Sequence, residues 1–289
     1  MAIPSPGPSL QQLLLGKVCL VTGASTGIGK VTARELARQG ARVILVCRSR
    51  ERGERALLEL QLALGSARLH LLVADLSSQR EVRRLAGEVR KNFEALHVLV
   101  NNAGVYCQQR QLTTDGIERT LAVNHLAPFL LSRLLADRLR NSAPARIVNV
   151  GSAAYRHGRI DLDDPNLEKR YRPYAAYARS KLAQLLAGLE LAERLEGSGV
   201  SVNYLHPGFA ATEIFRDLPP AVRFLLGVIA RSPERAARTS VFLAGSHKVE
   251  GVTGRFFIGE RPAVLARHAQ DPVLRRELWE LSETLIRER

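Results

Sequence analysis

Short apolar runs alternate with longer stretches of helical spacing along almost the whole chain, and this alternation limits the fold more than any other feature. The apolar runs have the length and β-branched content of buried strands; they lie at 17–22, 42–46, 68–74, 97–100, 145–150, 200–205 and 255–258. Helical spacing is found at 28–39, 51–64, 77–93, 115–140, 174–196, 232–244 and 272–286. Strands that alternate with helices form βαβ units. The sequence therefore predicts an α/β fold: a doubly wound parallel sheet of about seven strands with helices on both faces.

The chain shows no internal repeat and no linker that would divide it. At about 150 residues per domain, its 289 residues correspond to one large domain or two small ones. Hydrophobic residues make up 46% and charged residues 24%, which excludes a disordered chain and a coiled-coil rod. We predict a single domain over 16–289, preceded by a disordered lead-in rich in Pro, Ser and Gly at 1–15.

The charge is strongly basic but dispersed. Lys and Arg number 42 against 28 Asp and Glu, a net charge of +14. The basic residues are interleaved with acids, and no nucleic-acid motif accompanies them. A solvated basic surface is the expected reading and no nucleic-acid partner is predicted; attraction to an anionic membrane or substrate is the alternative.

Targeting and redox signals are few. No run approaches the roughly 18 apolar residues of a membrane-spanning helix, and the N-terminus lacks the basic region of a signal peptide. We expect a cytoplasmic protein without a transmembrane anchor or signal peptide; peripheral contact with the endoplasmic reticulum membrane is the alternative. Cys19, Cys47 and Cys107 lie far apart, so neither a zinc site nor a disulfide framework is predicted.

A glycine-rich turn joins the first predicted strand to the first predicted helix. It reads T-G-A-S-T-G-I-G over 22–29. Glycines allow a tight turn and bring backbone N–H groups close to phosphate, and the helix N-terminus adds its positive dipole end. The turn predicts a dinucleotide site formed by Gly23, Ser25, Thr26, Gly27, Ile28 and Gly29. Together with the predicted sheet it indicates a Rossmann-type fold.

The T-G-x-x-x-G-x-G spacing of this turn resembles the short-chain dehydrogenase/reductase family. At the end of the second strand, where an NAD site usually has a carboxylate for the ribose hydroxyl, the chain has Arg48. A guanidinium suits a 2′-phosphate, so NADP(H) is the predicted cofactor. The resemblance implies further cofactor contacts at Asp75 and Leu76, and at Asn102, Ala103 and Gly104. An N-cap role for Asp75 is an equally physical reading.

A tyrosine and a lysine are spaced one helical turn apart in the helix predicted at 174–196. Tyr177 and Lys181 share a helix face at this spacing. A nearby ammonium favours phenolate, so we expect it to lower the pKa of Tyr177 from about 10. Such a phenol can exchange a proton with a carbonyl or alcohol oxygen during hydride transfer. Both residues are predicted to be catalytic and to contact the cofactor.

The family resemblance supplies the other members of the catalytic set. Ser152, after the fifth strand, matches the serine that binds and polarises the substrate oxygen. Asn124 matches the helix asparagine that holds a water for a proton relay through Lys181. Gly151 stands where relatives often carry a first serine, a departure expected to loosen the loop. Pro207 and Gly208 match cofactor contacts beside the nicotinamide, and Thr212 matches a threonine that contacts the nicotinamide amide or the phosphate.

Several segments resemble the retinol dehydrogenase 11–14 branch of the family, including 46–49, 158–161, 176–183 and 205–208. The resemblance implies reversible reduction of a lipophilic aldehyde or ketone, most simply a retinal-like one. A steroid or xenobiotic carbonyl reductase, or a non-catalytic dinucleotide-binding protein, is the alternative. An apolar segment at about 212–231 corresponds to a substrate lid that could also rest on a membrane. Relatives often form homodimers through the two long helices, here 115–140 and 174–196, so a homodimer is expected.

Overall fold

The computed structural model describes residues 13–65, 68–208 and 232–287. In this part of the chain eight strands form one sheet in the order β3-β2-β1-β4-β5-β6-β7-β8. The strands are β1 Val18–Thr22, β2 Arg42–Cys47, β3 Leu69–Val73, β4 Val98–Asn101, β5 Ala145–Val150, β6 Val200–His206, β7 Arg255–Ile258 and β8 Arg261–Ala263. The pairs from β3 to β7 are parallel. The predicted α/β sheet is confirmed.

Helices connect the strands and cover both faces of the sheet. Over the described residues they are α1 Gly27–Arg38, α2 Arg50–Leu64, α3 Gln79–Asn92, α4 Arg119–Leu121, α5 Ala127–Leu134, α6 Ala136–Arg140, α7 Pro173–Arg194, α8 Pro233–Gly245 and α9 Pro272–Leu285. Several begin as their sequence predicts, because a Ser or Asp side chain accepts a first-turn N–H. Ser49 caps α2, Ser78 caps α3, Ser232 caps α8 and Asp271 caps α9.

The core lies on both faces of the sheet, as a doubly wound fold requires. Successive residues of β1 point to opposite faces. Leu20 belongs to the apolar cluster on the side of α3, α5 and α7, whereas Cys19 and Val21 belong to the cluster on the side of α1, α2 and α8. Cys19 and Cys47 are buried free thiols, and burial raises their pKa values to about 12 and about 11. They fill space in the core.

The eighth strand was not predicted, and it changes the purely parallel sheet into a mixed one. β8 pairs antiparallel with β7 at the edge of the sheet. It is three residues long and includes Pro262, which has no N–H to donate to a ladder and is tolerated at an edge. A strand this short, with a proline in it, has too little alternation to be recognised in the sequence.

The helix predicted over 115–140 is wrong at its start and in its regularity. Gly116 has a φ of 72°, and the helix begins only at Arg119, where the Glu118 carboxylate accepts the N–H groups of Thr120 and Leu121. A π turn then spans Ala122–Leu126, with the Ala127 N–H bonded to the Ala122 carbonyl. Single π turns inside α-helices are frequent at functional sites.

α9 packs across α5 and α7. Trp279 of α9 lies edge-on to Phe129, with ring centroids 4.7 Å apart, and the Arg194 guanidinium lies 4.4 Å from the Trp279 centroid. Arg275 of α9 pairs with the buried Glu190 of α7 at 3.1 Å. These helices carry the surface through which two copies were expected to pair. α9 covers part of that surface, and the homodimer stays a prediction.

The predicted disordered segment at 1–15 extends too far toward β1. Leu14 falls in the segment expected to be disordered, yet its side chain is only 5% exposed and packs in the core cluster with Leu36 and Leu243. Its N–H donates to the carbonyl of Gln39 at 3.0 Å. Residues 13–15 are therefore part of the folded domain.

Candidate active site

A cavity of about 770 Å³ opens at the carboxyl ends of the parallel strands. The chain runs outward from β1 to β3 and then returns to β4 on the other side of β1, and open α/β sheets bind ligands at such a switch point. Most of the predicted site residues line this cavity: Gly23, Ser25, Thr26, Gly27, Ile28, Gly29, Arg48, Asp75, Leu76, Asn102, Ala103, Gly104, Ser152, Tyr177, Lys181, Pro207 and Gly208. Thr212 and the predicted lid at 212–231 lie outside the described residues.

The glycine turn is a cradle that side chains would fill. Gly23 and Gly27 have φ values of 67° and 55°, a region that side chains disfavour. A Cβ on Gly29 would lie 2.3 Å from the Gly23 carbonyl oxygen and 2.4 Å from Nδ2 of Asn102. The turn opens directly into the N-terminus of α1. Backbone N–H groups and the helix dipole are thus presented where phosphate oxygens would fit.

The segment after β4 supports this turn from beneath. The hydroxyl of Thr22 accepts the N–H groups of Asn102 and Ala103, each at 3.0 Å. In return the Asn102 amide donates to the Thr22 carbonyl at 2.8 Å. The Asn-Ala-Gly segment therefore joins the ends of β1 and β4 and holds the start of the glycine turn in position.

Two arginines line the cavity where β2 runs into α2. Arg48 was predicted; Arg52, in the first turn of α2, was not. On the same helix, Arg50 pairs with Glu54 and Arg55 pairs with Glu51. Arg48 lies before the Ser49 cap and outside α2, so no helical spacing in the sequence pointed to Arg52 as a second cavity residue.

Asp75 reaches the cavity from the end of β3, but the N-cap reading of this residue is wrong. Its carboxylate accepts the backbone N–H of Ser77 at 2.9 Å and the Ser77 hydroxyl at 2.8 Å. The cap of α3 is Ser78, whose hydroxyl accepts the Glu81 N–H. Asp75 therefore shapes the turn before the helix and remains part of the cavity wall.

Tyr177 and Ser152 meet at the wall of the cavity. Tyr177 lies on the second turn of α7, 8% exposed, and Ser152 follows β5. A hydrogen bond with Ser152 lowers the pKa of Tyr177, but burial outweighs it and raises that pKa to about 12. The expectation of a lowered pKa is therefore wrong for this structure, because desolvation penalises the phenolate more than nearby polar groups favour it.

Lys181 is buried behind Tyr177. Its Nζ donates to the Val150 carbonyl at 2.9 Å and to Oε1 of Gln184 at 3.3 Å, and lies 5.9 Å from the Tyr177 ring centroid. Burial lowers the pKa of Lys181 to about 8. The predicted side-by-side arrangement on one helix face is present, and the amine is held by a main-chain carbonyl and a side-chain amide rather than by a carboxylate.

Asn124 does not line the cavity. Its side-chain oxygen accepts the Val105 N–H at 2.8 Å, and its NH₂ donates to the Val105 carbonyl and to the Ser180 hydroxyl, each at 3.0 Å. The side chain thus fastens the segment after β4 to the π turn and to α7. Pro128 has no N–H, so it cannot make the α-helical bond to the Asn124 carbonyl oxygen four residues earlier.

Gly151 departs from the resemblance without loosening the loop. Its N–H donates to the Leu205 carbonyl at 2.8 Å, and a Cβ would lie 3.0 Å from that oxygen. The residue is buried between β5 and β6. Close approach to β6 explains why glycine fits here, and the expected loosening is not observed.

Three further side chains near Tyr177 were missed. The Tyr106 and Tyr177 ring centroids are 5.6 Å apart. Nδ1 of His157 and the hydroxyl of Tyr174 form a hydrogen bond of 2.7 Å. All three line the cavity. Tyr174 precedes Tyr177 by three residues on α7, which the sequence shows, but no local pattern reports that His157 reaches it from the preceding loop.

Comparison with known proteins identifies the class. The short chain dehydrogenase family model matches residues 17–222. A solved structure of an uncharacterised protein from Mycobacterium paratuberculosis superposes with a TM-score of 0.79 at 33% identity, covering 96% of this chain and 95% of that one. A Pseudomonas aeruginosa RhlG/NADP active-site complex superposes with a TM-score of 0.69 at 29% identity, covering 86% of this chain and 96% of that one. The chain belongs to the short-chain dehydrogenase/reductase family.

Within the family, the chain falls in the branch of retinol dehydrogenases 11 to 14. Human retinol dehydrogenase 14 is 40% identical over 97% of this chain and 91% of its own length. The protein is an oxidoreductase that acts on CH–OH donors and uses a nicotinamide dinucleotide. None of the helices in the described part of the chain combines the length and hydropathy needed to cross a membrane.

Proposed function

We propose that the protein interconverts a lipophilic aldehyde or ketone and its alcohol with NADP(H), and that a retinal/retinol-like pair is its substrate. The observation that carries the proposal is the contact of Tyr177 with Ser152 in the cavity that the glycine turn and Arg48 also line. This arrangement combines a proton donor, a group that orients the substrate oxygen and a cradle for a phosphorylated dinucleotide.

The arginines at the start of α2 support NADP(H) rather than NAD(H). Arg48 and Arg52 both line the cavity, and a guanidinium can bind a phosphate through two parallel hydrogen bonds. The carboxylate nearest in sequence, Glu51, pairs with Arg55. The solved complex with NADP among the structural neighbours agrees with this preference.

Tyr177 and Ser152 have separate roles in the proposed reaction. A bound nicotinamide would supply or accept the hydride. The Tyr177 hydroxyl donates its proton to the substrate carbonyl oxygen, which the Ser152 hydroxyl orients through a second hydrogen bond. A raised pKa keeps the phenol protonated at neutral pH, the form that a donor needs in the direction of reduction.

Lys181 and Asn124 serve the same reaction from behind Tyr177. The Lys181 ammonium binds the nicotinamide ribose and stabilises negative charge that develops on the Tyr177 oxygen. The Asn124 carbonyl, which Pro128 cannot reach with an N–H, holds the water that resupplies the proton through Lys181. The side chain of Asn124 keeps this carbonyl in place through its bonds to Val105 and Ser180.

An apolar substrate fits the wall around Tyr177. The described lining on that side includes Val105, Tyr106, Ala153, Ala154 and Tyr174. Aromatic and aliphatic surfaces of this kind stabilise a hydrocarbon chain by removing it from water. The names of the relatives in the retinol dehydrogenase branch make retinal the first compound to test.

The test is a carbonyl panel with purified protein. All-trans-retinal, decanal and a ketosteroid are each incubated with NADPH and with NADH, and nicotinamide absorbance is followed. We expect turnover with NADPH and retinal or decanal, and a loss of about 10³-fold in Tyr177→Phe with cofactor binding retained. Unchanged turnover in Tyr177→Phe would contradict the mechanism. Cofactor binding without turnover of any carbonyl would instead favour a non-catalytic binding protein.

A further inference from the structure

One pair of polar side chains on the substrate side of the cavity has no part in the proposed reaction. The His157 ring and the Tyr174 hydroxyl are joined by the 2.7 Å hydrogen bond described above. Both side chains are exposed, Tyr174 to 50%. Because Tyr174 lies three residues before Tyr177 on α7, the pair stands on the same helix face as the reacting hydroxyl, one turn nearer to solvent.

An arginine precedes His157 on the 3₁₀ turn that follows Ser152. The 3₁₀ turn Ala153–His157 begins directly after Ser152, and Arg156 and His157 are its last residues. At about 2 Å of rise per residue, they lie roughly 8–10 Å along the turn from Ser152. Arg156 lines the cavity and uses one donor on the Val264 carbonyl at 3.4 Å, of the five that a guanidinium has.

No carboxylate among the described cavity residues balances this charge. The one acidic residue of the described lining is Asp75, which follows β3. β3 and β5 are separated by four strand spacings of about 4.8 Å, or roughly 19 Å across the sheet. The mouth of the substrate side therefore presents Arg156 and His157 with no acidic partner in the described wall, next to the apolar surface that leads to Tyr177.

We propose that this site is built for carbonyl compounds that carry a carboxylate at the far end of an apolar chain, with Arg156, His157 and Tyr174 binding that carboxylate. The inference rests on the proposed reduction of lipophilic carbonyl compounds and concerns which of them is preferred. Retinal, which has no carboxylate, should be a poorer substrate than a carbonyl compound that carries one. When the Tyr174 hydroxyl donates to Nδ1 of His157, the neutral ring carries its proton on Nε2 and can donate it to the anion. A neutral aldehyde of the same length leaves all three side chains without a ligand.

The test compares two aldehydes of equal chain length with the full protein and NADPH. Decanal ends in a methyl group, and 10-oxodecanoate ends in a carboxylate. We expect kcat/KM to favour 10-oxodecanoate by about tenfold, the size of one charge-assisted hydrogen bond. The advantage should lie in KM and should shrink as salt is added, because the mouth is exposed to solvent.

Variants assign the effect to the site. Arg156→Gln should bring the ratio of the two kcat/KM values to about one, through a higher KM for 10-oxodecanoate. Tyr174→Phe, which removes the bond to His157, should lower the ratio by a smaller factor. Arg159→Gln is the matched control, because Arg159 is an exposed arginine of the same loop that does not line the cavity; its ratio should equal that of the unmodified protein.

The outcomes separate this inference from the proposed function. If the kcat/KM values for decanal and 10-oxodecanoate are equal, the carboxylate site is refuted while the reductase stands. The same conclusion follows if Arg159→Gln lowers the ratio of these two values as much as Arg156→Gln does. If neither aldehyde is reduced although NADPH binds, the proposed function fails, and the inference fails with it.

Discussion

The dinucleotide half of the cavity is shaped by main chain, whereas the half around Tyr177 is shaped by side chains. Around the glycine turn, the Gly23 carbonyl and the Asn102 amide leave no room for a Cβ on Gly29. On the other side, His157 and Tyr174 meet through a single hydrogen bond at an exposed mouth. A substitution at the glycine turn must displace the backbone, whereas a substitution near Tyr177 can be accommodated by movement of exposed side chains. We therefore expect cofactor binding to be the rigid property and substrate choice the adaptable one.

The largest effect that this comparison predicts comes from Gly29→Ala. Its Cβ would lie 2.3 Å from the Gly23 carbonyl, so the turn must move away from phosphate. Overpacking of this kind costs about 1–3 kcal/mol, and we expect NADPH to bind about a hundredfold more weakly in a titration by calorimetry. Gly87→Ala in α3 is the control, since a Cβ there meets nothing within 4 Å. Equal affinity in both variants would show that the turn is more tolerant than its geometry indicates.

The next effect tests whether side chains in the dinucleotide half choose the cofactor. Arg52→Ala should weaken NADPH binding about tenfold, because it removes a charge-assisted contact with the 2′-phosphate, and should leave NADH binding unchanged. Arg55→Ala, three residues further along α2, is the control; Arg55 pairs with Glu51 and does not line the cavity. A parallel loss of NADPH and NADH affinity would assign Arg52 to the shape of the pocket instead.

The pH dependence of kcat/KM tests the role of Lys181, which lies between the two halves of the cavity. Burial lowers the pKa of this amine to about 8, so its charge is present below pH 8 and is lost as pH rises through that value. We expect kcat/KM for reduction to fall about tenfold per pH unit above 8. Tyr177, with a pKa of about 12, stays protonated over this range and cannot cause the fall.

The Lys181→Arg variant identifies the group. An arginine keeps its charge beyond pH 12, so the fall near pH 8 should disappear even if the overall rate is lower. A fall that persists at the same pH in Lys181→Arg would assign the titration to another residue.

The smallest effect is expected at Gly151, between the halves. Gly151→Ser introduces a Cβ that lies 3.0 Å from the Leu205 carbonyl, a contact that a small shift of β6 can relieve. We expect a loss of about 1 kcal/mol in the free energy of unfolding, measured in urea, with NADPH affinity kept. An increase in stability would mean that β6 already has room for the larger residue.

The same division explains what could be predicted from the sequence. The glycine turn, the strands around it and the Tyr177–Lys181 pair follow from local spacing, whereas Ser152 was implied by the family resemblance. The structure brings these residues to one cavity. The π turn at Ala122–Leu126 was hidden inside an apolar stretch that also fits a regular helix. β8 was hidden because three residues are too few to show a period.

Properties that depend on distant parts of the chain were missed or reversed. The contact of His157 with Tyr174 joins residues from different elements, and no sequence pattern near either residue predicts it. The pKa of Tyr177 was expected to fall because Lys181 is visible in the sequence; the burial that raises it comes from the whole fold. Sequence reports which groups are neighbours along a helix, and tertiary packing decides how much water they keep.

The packing of α9 bears on how the enzyme behaves when it is scarce. In this protein α7, which carries Tyr177, is braced by Trp279 and Arg275 of the same polypeptide. A brace that is covalently attached cannot be lost by dissociation. The support that α9 gives to α7 should therefore be unchanged as the enzyme is diluted from micromolar to picomolar concentrations, whether or not two copies associate.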